Sequence, residues 1–237
     1  MTLPVAVLAG GLATRLWPLT QTIPKSLVDV AGKPFAIHQI ELLKRAGVGQ
    51  IVYCIGYLGA MVREELGDGS QFGLRISYSE DGPRSLGTGG AVRRALPLLG
   101  PAFFVLYGDS YLRCEYGAVE EAFRASGKKG LMTVLWNEDR WDRSNAVFEE
   151  GRILRYDKKE RDARMKHIDY GLGVLSAGVF DQYSWDKSLD LATVYQDLLG
   201  AGDLAGFEVK GRFYEVGSAA GLEETRALLS GTKTEER

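Results

Sequence analysis

The chain has 237 residues, of which 45% are hydrophobic and 25% charged, ordinary composition for one folded unit with a sizeable core. A formal charge of −2 leaves no basic surplus, which excludes the electrostatic footprint of a nucleic-acid binder and leaves any anionic small ligand to a local cationic pocket. The two cysteines, Cys54 and Cys114, make neither a disulfide framework nor a C-x-x-C metal pattern.

Residues 5–8 form a short β-rich apolar run after an N-terminus that lacks a basic leader, and no apolar run is long enough to cross a membrane. These features predict a cytoplasmic protein with no membrane partner. Residues 35–46 place Ala36, Ile37, Ile40 and Leu43 on one helical face, and residues 51–55 return to a strand-like run. Residues 89–99 carry Val92, Ala95, Leu96 and Leu99 at helical spacing, before strand-like runs at 103–107 and 131–136. This βαβα order predicts a mostly parallel sheet. Residues 146–148, 153–156 and 171–175 then read as hairpin pieces of an α+β half. Residues 191–199 read as a helix, and 219–229 as a final helix capped by Ser218, with a frayed charged tail after Gly231. His38, His167, Trp17, Trp136, Trp141 and Trp185 read as packing, solvent-facing or pocket-wall residues.

Directly after the first strand comes Leu8-Ala9-Gly10-Gly11-Leu12-Ala13-Thr14-Arg15-Leu16. Its paired glycines let the backbone turn tightly and bring bare N–H groups against a ligand, the geometry of a phosphate cradle, with a plain turn as the alternative. The spacing is neither G-x-G-x-x-G nor G-x-x-x-x-G-K-[ST], because Pro24 precedes Lys25-Ser26 where the second pattern needs glycine. Arg15 offers a forked donor set for phosphate oxygens and Lys25 a compact charge in the same short segment, two cations that suit a triphosphate. Asp109 follows the apolar run 103–107 and Gly108, at the carboxyl end of a parallel strand where open α/β sheets bind ligands. It is a candidate magnesium ligand, and a solvated loop aspartate is the alternative.

Residues 8–15, with Pro18-Leu19-Thr20, Pro24-Lys25-Ser26-Leu27 and Gly32-Lys33-Pro34, resemble the signature of sugar-1-phosphate nucleotidylyltransferases. The likeness continues through Leu86-Gly87-Thr88-Gly89-Gly90-Ala91 and Gly108-Asp109-Ser110 and thins at Glu215-Val216-Gly217; it is nearest to the heptose or hexose 1-phosphate guanylyltransferase branch. It implies a Rossmann-like three-layer α/β nucleotidyltransferase fold with a mixed, mostly parallel central sheet. Residues 1–237 would form one domain, with about 1–115 binding the nucleotide and about 116–230 the sugar. The implied reaction is attack of a sugar 1-phosphate on the α-phosphate of a nucleoside triphosphate, assisted by Mg2+ and releasing pyrophosphate.

The same resemblance implies the roles of individual residues. Leu8, Ala9, Gly10, Gly11, Gly87 and Thr88 would contact the nucleotide, Arg15 and Lys25 would neutralise its phosphates, and Asp109 and Glu215 would hold magnesium. Asn145, Lys158, Asp169 and Tyr170 would contact the sugar phosphate. From their chemistry Glu80 and Asp81, just upstream of the glycine segment, are candidates to accept from the base edge, with plain loop charges as the alternative, and a carboxylate suits the adjacent N–H donors of guanine better than the mixed edge of uracil. Guanylyl transfer is therefore favoured, with uridylyl or other transfer as the alternative. Two departures are Ala13, where a glycine is common, and Glu215, where the family has aspartate; Lys158 is followed by Lys159 rather than proline. The first two keep open a non-catalytic nucleotide-sugar sensor. A glycosyltransferase lacks its D-x-D motif here, and a homo-oligomer is compatible with the sequence.

Overall fold

Strands that are apolar on both faces need cover on both sides, and this requirement organises the architecture. The computed structural model describes residues 2–82 and 86–231. In chain order the elements are β1 (Val5–Ala9), β2 (Asp29–Val30), β3 (Lys33–Pro34), α1 (Phe35–Arg45), β4 (Gln50–Ile55), α2 (Gly59–Leu66) and β5 (Arg75–Glu80). There follow α3 (Gly87–Leu99), β6 (Ala102–Tyr107), β7 (Ser110–Tyr111), α4 (Tyr116–Ser126), β8 (Gly130–Trp136), β9 (Ala146–Glu149) and β10 (Arg152–Tyr156). The last are β11 (His167–Ser176), α5 (Leu191–Gly200), β12 (Leu204–Val209), β13 (Tyr214–Glu215) and α6 (Ala219–Leu229).

The main sheet runs β10-β9-β11-β6-β1-β4-β5, with β8 also on β11 and β12 beyond β8. β1 pairs in parallel with β4 and β6, and β4 with β5, whereas β11 is antiparallel to β6, β8 and β9. The sheet is therefore mixed around a parallel core. Alternation along the strands divides the interior in two. Val5, Val7, Ile51, Tyr53, Phe104 and Leu106 face one core, which Ile40 and Leu43 of α1, Val62 and Leu66 of α2, and Val119 and Phe123 of α4 complete. Ala6, Val52, Cys54, Phe103 and Val105 face the other, closed by Val92, Ala95 and Leu99 of α3 and by Val194, Tyr195 and Leu198 of α5. Helices thus cover both faces in a three-layer α/β arrangement.

Several expected elements form within a residue or two of their predicted bounds, including α6, where the Ser218 Oγ accepts from the Gly221 N–H at 3.0 Å. The pattern did not reveal β5, β12, α2 or α4. β5 is an edge strand with a half-polar sequence, and α2 buries only Gly59, Val62 and Leu66, so each has a weak periodic signal. The piece expected at 171–175 is the second half of the ten-residue β11, whose pairing with β8 shifts between Asp169 and Gly173. Gly171 has φ +92° within that shift, a conformation that glycine adopts without strain. The frayed tail expected after Gly231 lies outside the described residues. Among the described residues no helix is long and apolar enough to cross a membrane.

The two histidines are in structural positions. His38 is buried with its Nε2 2.7 Å from the Val30 carbonyl oxygen, and His167 lies between Trp136 and Phe148 with Nε2 3.1 Å from Glu208. A third, smaller core joins Val28, Val30, Phe35, Tyr111, Val216 and Leu222. It seats the two-residue pairing of β7 with β13 against α1 and α6, and so fixes the chain on either side of Asp109 and Glu215.

Candidate active site

Parallel pairing brings the carboxyl ends of β1, β5 and β6 to one edge of the sheet, where Gly10, Asp81 and Asp109 follow them. A cavity of about 230 Å³ opens there, lined by Leu8, Ala9, Gly10, Gly11, Lys25, Ser26, Cys54, Asp81, Gly87, Thr88, Ala91, Tyr107, Gly108 and Asp109. Gly10 is packed tightly: a Cβ on it would fall 3.2 Å from the Gly56 amide nitrogen and 3.3 Å from Asp81 Oδ2. A larger cavity of about 670 Å³ adjoins the first, and its lining includes Arg15, Asn145, Lys158, Asp169, Tyr170, Phe213, Glu215 and Ser218. Tyr107 and Asp109 line both cavities and form their common wall.

Charge converges at that wall. Lys25 Nζ donates to Asp109 Oδ2 at 2.5 Å, with both side chains less than a quarter exposed. A Cβ on Gly217 would fall 2.7 Å from Asp109 Oδ2, 2.8 Å from Glu215 Oε2 and 3.5 Å from Arg15 Nη2. Two carboxylates and a guanidinium therefore crowd one point beside Gly217, where a methyl group would displace them. Glu215 also accepts from the Gly217 N–H, from the Ser218 N–H at 3.0 Å and from the Ser218 hydroxyl at 2.5 Å, so its carboxylate sits at the amino end of α6, where the helix dipole favours negative charge.

The larger cavity holds a second charged cluster. Lys158 Nζ is 3.6 Å from Asp169 Oδ2 and 3.4 Å from the Tyr107 hydroxyl, while the Tyr156 hydroxyl donates to Asp169 Oδ2 at 3.1 Å. Desolvation works against the Lys158 charge, but Asp169 and then Tyr107 outweigh it and hold the ammonium pKa above its ordinary value. Asn145 Oδ1 accepts from the Asp169 N–H at 2.8 Å, which fixes the start of this cluster. Tyr170 forms part of the wall, but it is only 2% exposed and its ring packs edge-on against Phe213.

The family described as "Nucleotidyl transferase" matches residues 5–229. The chain belongs to that family. Mannose-1-phosphate guanylyltransferase catalytic subunit beta of Xenopus tropicalis is 30% identical over 217 residues, 89% of this chain and 60% of the relative, so the chain spans about 60% of that relative's length. N-acetylmuramate alpha-1-phosphate uridylyltransferase of Neisseria meningitidis serogroup B is 30% identical over 232 residues, 96% of this chain and 98% of the relative. HddC from Yersinia pseudotuberculosis, solved with GMP-PN, superposes with a TM-score of 0.79 at 24% identity, covering 96% of this chain and 99% of that one, a shared fold.

Within this nucleotidyl transferase chain Glu80, the last residue of β5, and Asp81 both border a surface hollow beside α2, and Asp81 also reaches the smaller cavity. The Glu80 carboxylate pairs with Arg63 at 2.5 Å, and Glu80 lines that hollow with Gly59, Arg63 and Glu64. Asp81, its neighbour, is the acid that lines the smaller cavity. The glycine loop at the start of α3 also ties two elements together, since Thr88 Oγ1 donates to Asp190 Oδ1 at 3.1 Å and accepts from the Leu191 N–H at 2.8 Å. Gly87 has φ +75°, and a Cβ there would fall 2.5 Å from the Leu189 carbonyl oxygen, so the loop is locked against the start of α5. Ala13 takes the left-handed conformation, φ 51° and ψ 41°, which explains why glycine suits this position.

Sequence reasoning gave no role to Tyr107 or Cys54. Tyr107 reads as the last residue of an apolar run, and only the meeting of β6 with Lys158 reveals it as a dividing wall. Burial raises its phenol pKa. Burial also raises the Asp81 carboxyl, against a smaller opposing pull from Arg94. The fold therefore disfavours ionised Asp81, and this carboxyl contributes stability when protonated that is lost as pH rises through its folded pKa. Asp81→Asn should accordingly raise Tm at pH 7, and thermal melts should show the gain shrinking as pH falls towards about 4.

Proposed function

We propose that this chain transfers a nucleoside monophosphate from a nucleoside triphosphate to a sugar 1-phosphate, releasing pyrophosphate. The observation that carries the reading is the shared wall: Asp109, with Lys25 on it, borders both a glycine-lined cavity and a larger polar one. Two substrates seated on either side of one residue meet there. The smaller cavity takes the nucleotide, with the Gly10–Gly11 backbone against its phosphates. The larger takes the sugar phosphate, with Lys158, Asp169 and Asn145 as its polar contacts. On this reading the first half of the chain serves mainly the nucleotide and the second half mainly the sugar.

The chemistry asks little covalent work of the protein. A phosphate monoester with a second pKa near ~6 is largely dianionic at neutral pH, so the nucleophile arrives ionised. Its oxygen bonds to the α-phosphorus as the bond from that phosphorus to the bridging oxygen breaks, and pyrophosphate leaves with the electron pair. Lys25 and Arg15 neutralise the charge that builds on the phosphates, and the two cavities hold the reacting atoms in line. Asp109 and Glu215 suit a magnesium ion: both offer hard oxygen donors, and one oxygen of each lies within 3 Å of the same point beside the Cα of Gly217. When bound, magnesium would supply further charge neutralisation on the triphosphate.

Asp81 supports guanine as the base, because a carboxylate in the nucleotide cavity can accept from guanine's two adjacent N–H donors. The Xenopus relative, named as a guanylyltransferase acting on mannose 1-phosphate, agrees, and a hexose or heptose 1-phosphate is the favoured acceptor. Uridylyl transfer is the second reading, because the Neisseria uridylyltransferase is matched over 98% of its length.

The four common triphosphates, each offered with several sugar 1-phosphates and assayed for pyrophosphate, test the proposal directly. Binding without turnover across the whole panel would instead identify a sensor. In the active pairing, Lys25→Ala and Asp109→Asn should each lower kcat by about 10²–10³-fold while circular dichroism stays unchanged, and near wild-type rates in either would refute the assignment. Gly217→Ala places a methyl group between Asp109 and Glu215 and should cost at least about tenfold in kcat at nearly constant Tm. If Asp81 reads guanine, Asp81→Asn should lower kcat/KM for GTP by about 10–100-fold and leave UTP within a few-fold.

A further inference from the structure

The turn that carries Asp109 leaves the sheet at the end of β6 and re-enters pairing at β7, and the carbonyls of Tyr107 and Ser110 flank it. One side chain spans both. Gln39 of α1 is 1% exposed, and its Nε2 donates to the Tyr107 oxygen at 3.1 Å and to the Ser110 oxygen at 2.8 Å. Both neighbours are acceptors, which fixes the orientation of the amide: nitrogen towards the turn. Its Oε1 is buried and meets no donor among the described residues, so the amide is held in place for its two donors alone. Leaving a buried acceptor idle has a cost that an apolar side chain would avoid.

The same helix controls the other partner of the charged wall. α1 packs on the Lys25–Leu27 turn, the Phe35 N–H donates to the Val28 carbonyl at 3.0 Å, and Phe35 is fully buried with Val28 and Val30. Lys25 therefore rests on α1 through the backbone, while Asp109 rests on α1 through Gln39. The 2.5 Å Lys25–Asp109 contact is the meeting of two segments referenced to one rigid element.

We propose that Gln39 is a positioning residue that fixes the Asp109 carboxylate for divalent cation binding at the boundary of the two cavities. It lines neither cavity and acts through the backbone on both sides of Asp109. The inference rests on the nucleotidyltransferase reading for its consequence, but not for its measurement.

The test uses the full chain and manganese alone, followed by loss of the free-ion electron paramagnetic resonance signal. Gln39→Met preserves length and removes both donors; Gln39→Glu preserves shape and turns an acceptor towards the two carbonyls. Each should weaken manganese binding by about 10–100-fold, as loss of outer-shell support does elsewhere. In the pyrophosphate assay the magnesium concentration for half-maximal rate should rise by a similar factor, with KM for the sugar phosphate within about twofold. A lower Tm with unchanged manganese affinity in either folded variant would make Gln39 merely structural and overturn the proposal. So would failure of both variants to fold, or a wild-type chain that binds no manganese. A wild-type chain that binds manganese but turns over no substrate pair would sink the functional reading and leave this one to be decided by the binding measurement.

Discussion

The site depends on keeping negative and positive side chains together at the carboxyl edge of a largely apolar sheet. Asp109 has Lys25 on one oxygen, and the Gly217 position borders Asp109, Glu215 and Arg15 together. A cluster of this kind is stable only where each charge finds a counter-charge or a dipole. Lys25 serves Asp109, and the amino end of α6 serves Glu215. The arrangement is close to balanced, so on the proposed reading an incoming polyphosphate has both cations and acids to reorganise against.

The fold supports this by tying loops to rigid elements. The first turn of α3 is locked to the start of α5 through Thr88 and Asp190, and this joins the edge that holds the smaller cavity to the half of the chain that carries Lys158 and Asp169. α1 holds the Lys25 turn by packing and the Asp109 turn through Gln39. Tyr107 is the wall between two cavities because β6 is the strand on which the parallel core meets the antiparallel β11. The proposed division of substrates between the cavities follows that change in strand direction.

Much of this was legible in the sequence where local physics decides it. Apolar runs bounded by glycine gave β1, β4, β6 and β8, and helical spacing gave α1, α3, α5 and α6. β5 and β12 escaped because strands near the sheet margin carry mixed polar patterns that a single stretch of sequence does not distinguish from a loop. At the site, Gly10 and Asp109 announced themselves through residue type and position after a strand, and Lys25 through its charge behind Pro24 in the segment that follows the glycine loop. Glu80 and Asp81 could not be told apart in the sequence, because it does not record that Arg63 of α2 pairs with Glu80 while Asp81 also lines the smaller cavity.

The order of amino acids was enough to set the layered α/β class, the run of strands and helices in the first half, and the inventory of cations, acids and glycines. These follow from periodicity and side-chain chemistry, which act over a few residues. Folding was needed to stand Asp109 at a junction, to space it from Glu215 with Gly217, and to make anchors of Thr88 and Gln39. Those facts depend on contacts between residues 68 to 108 positions apart, and no local pattern records which distant partner a side chain meets.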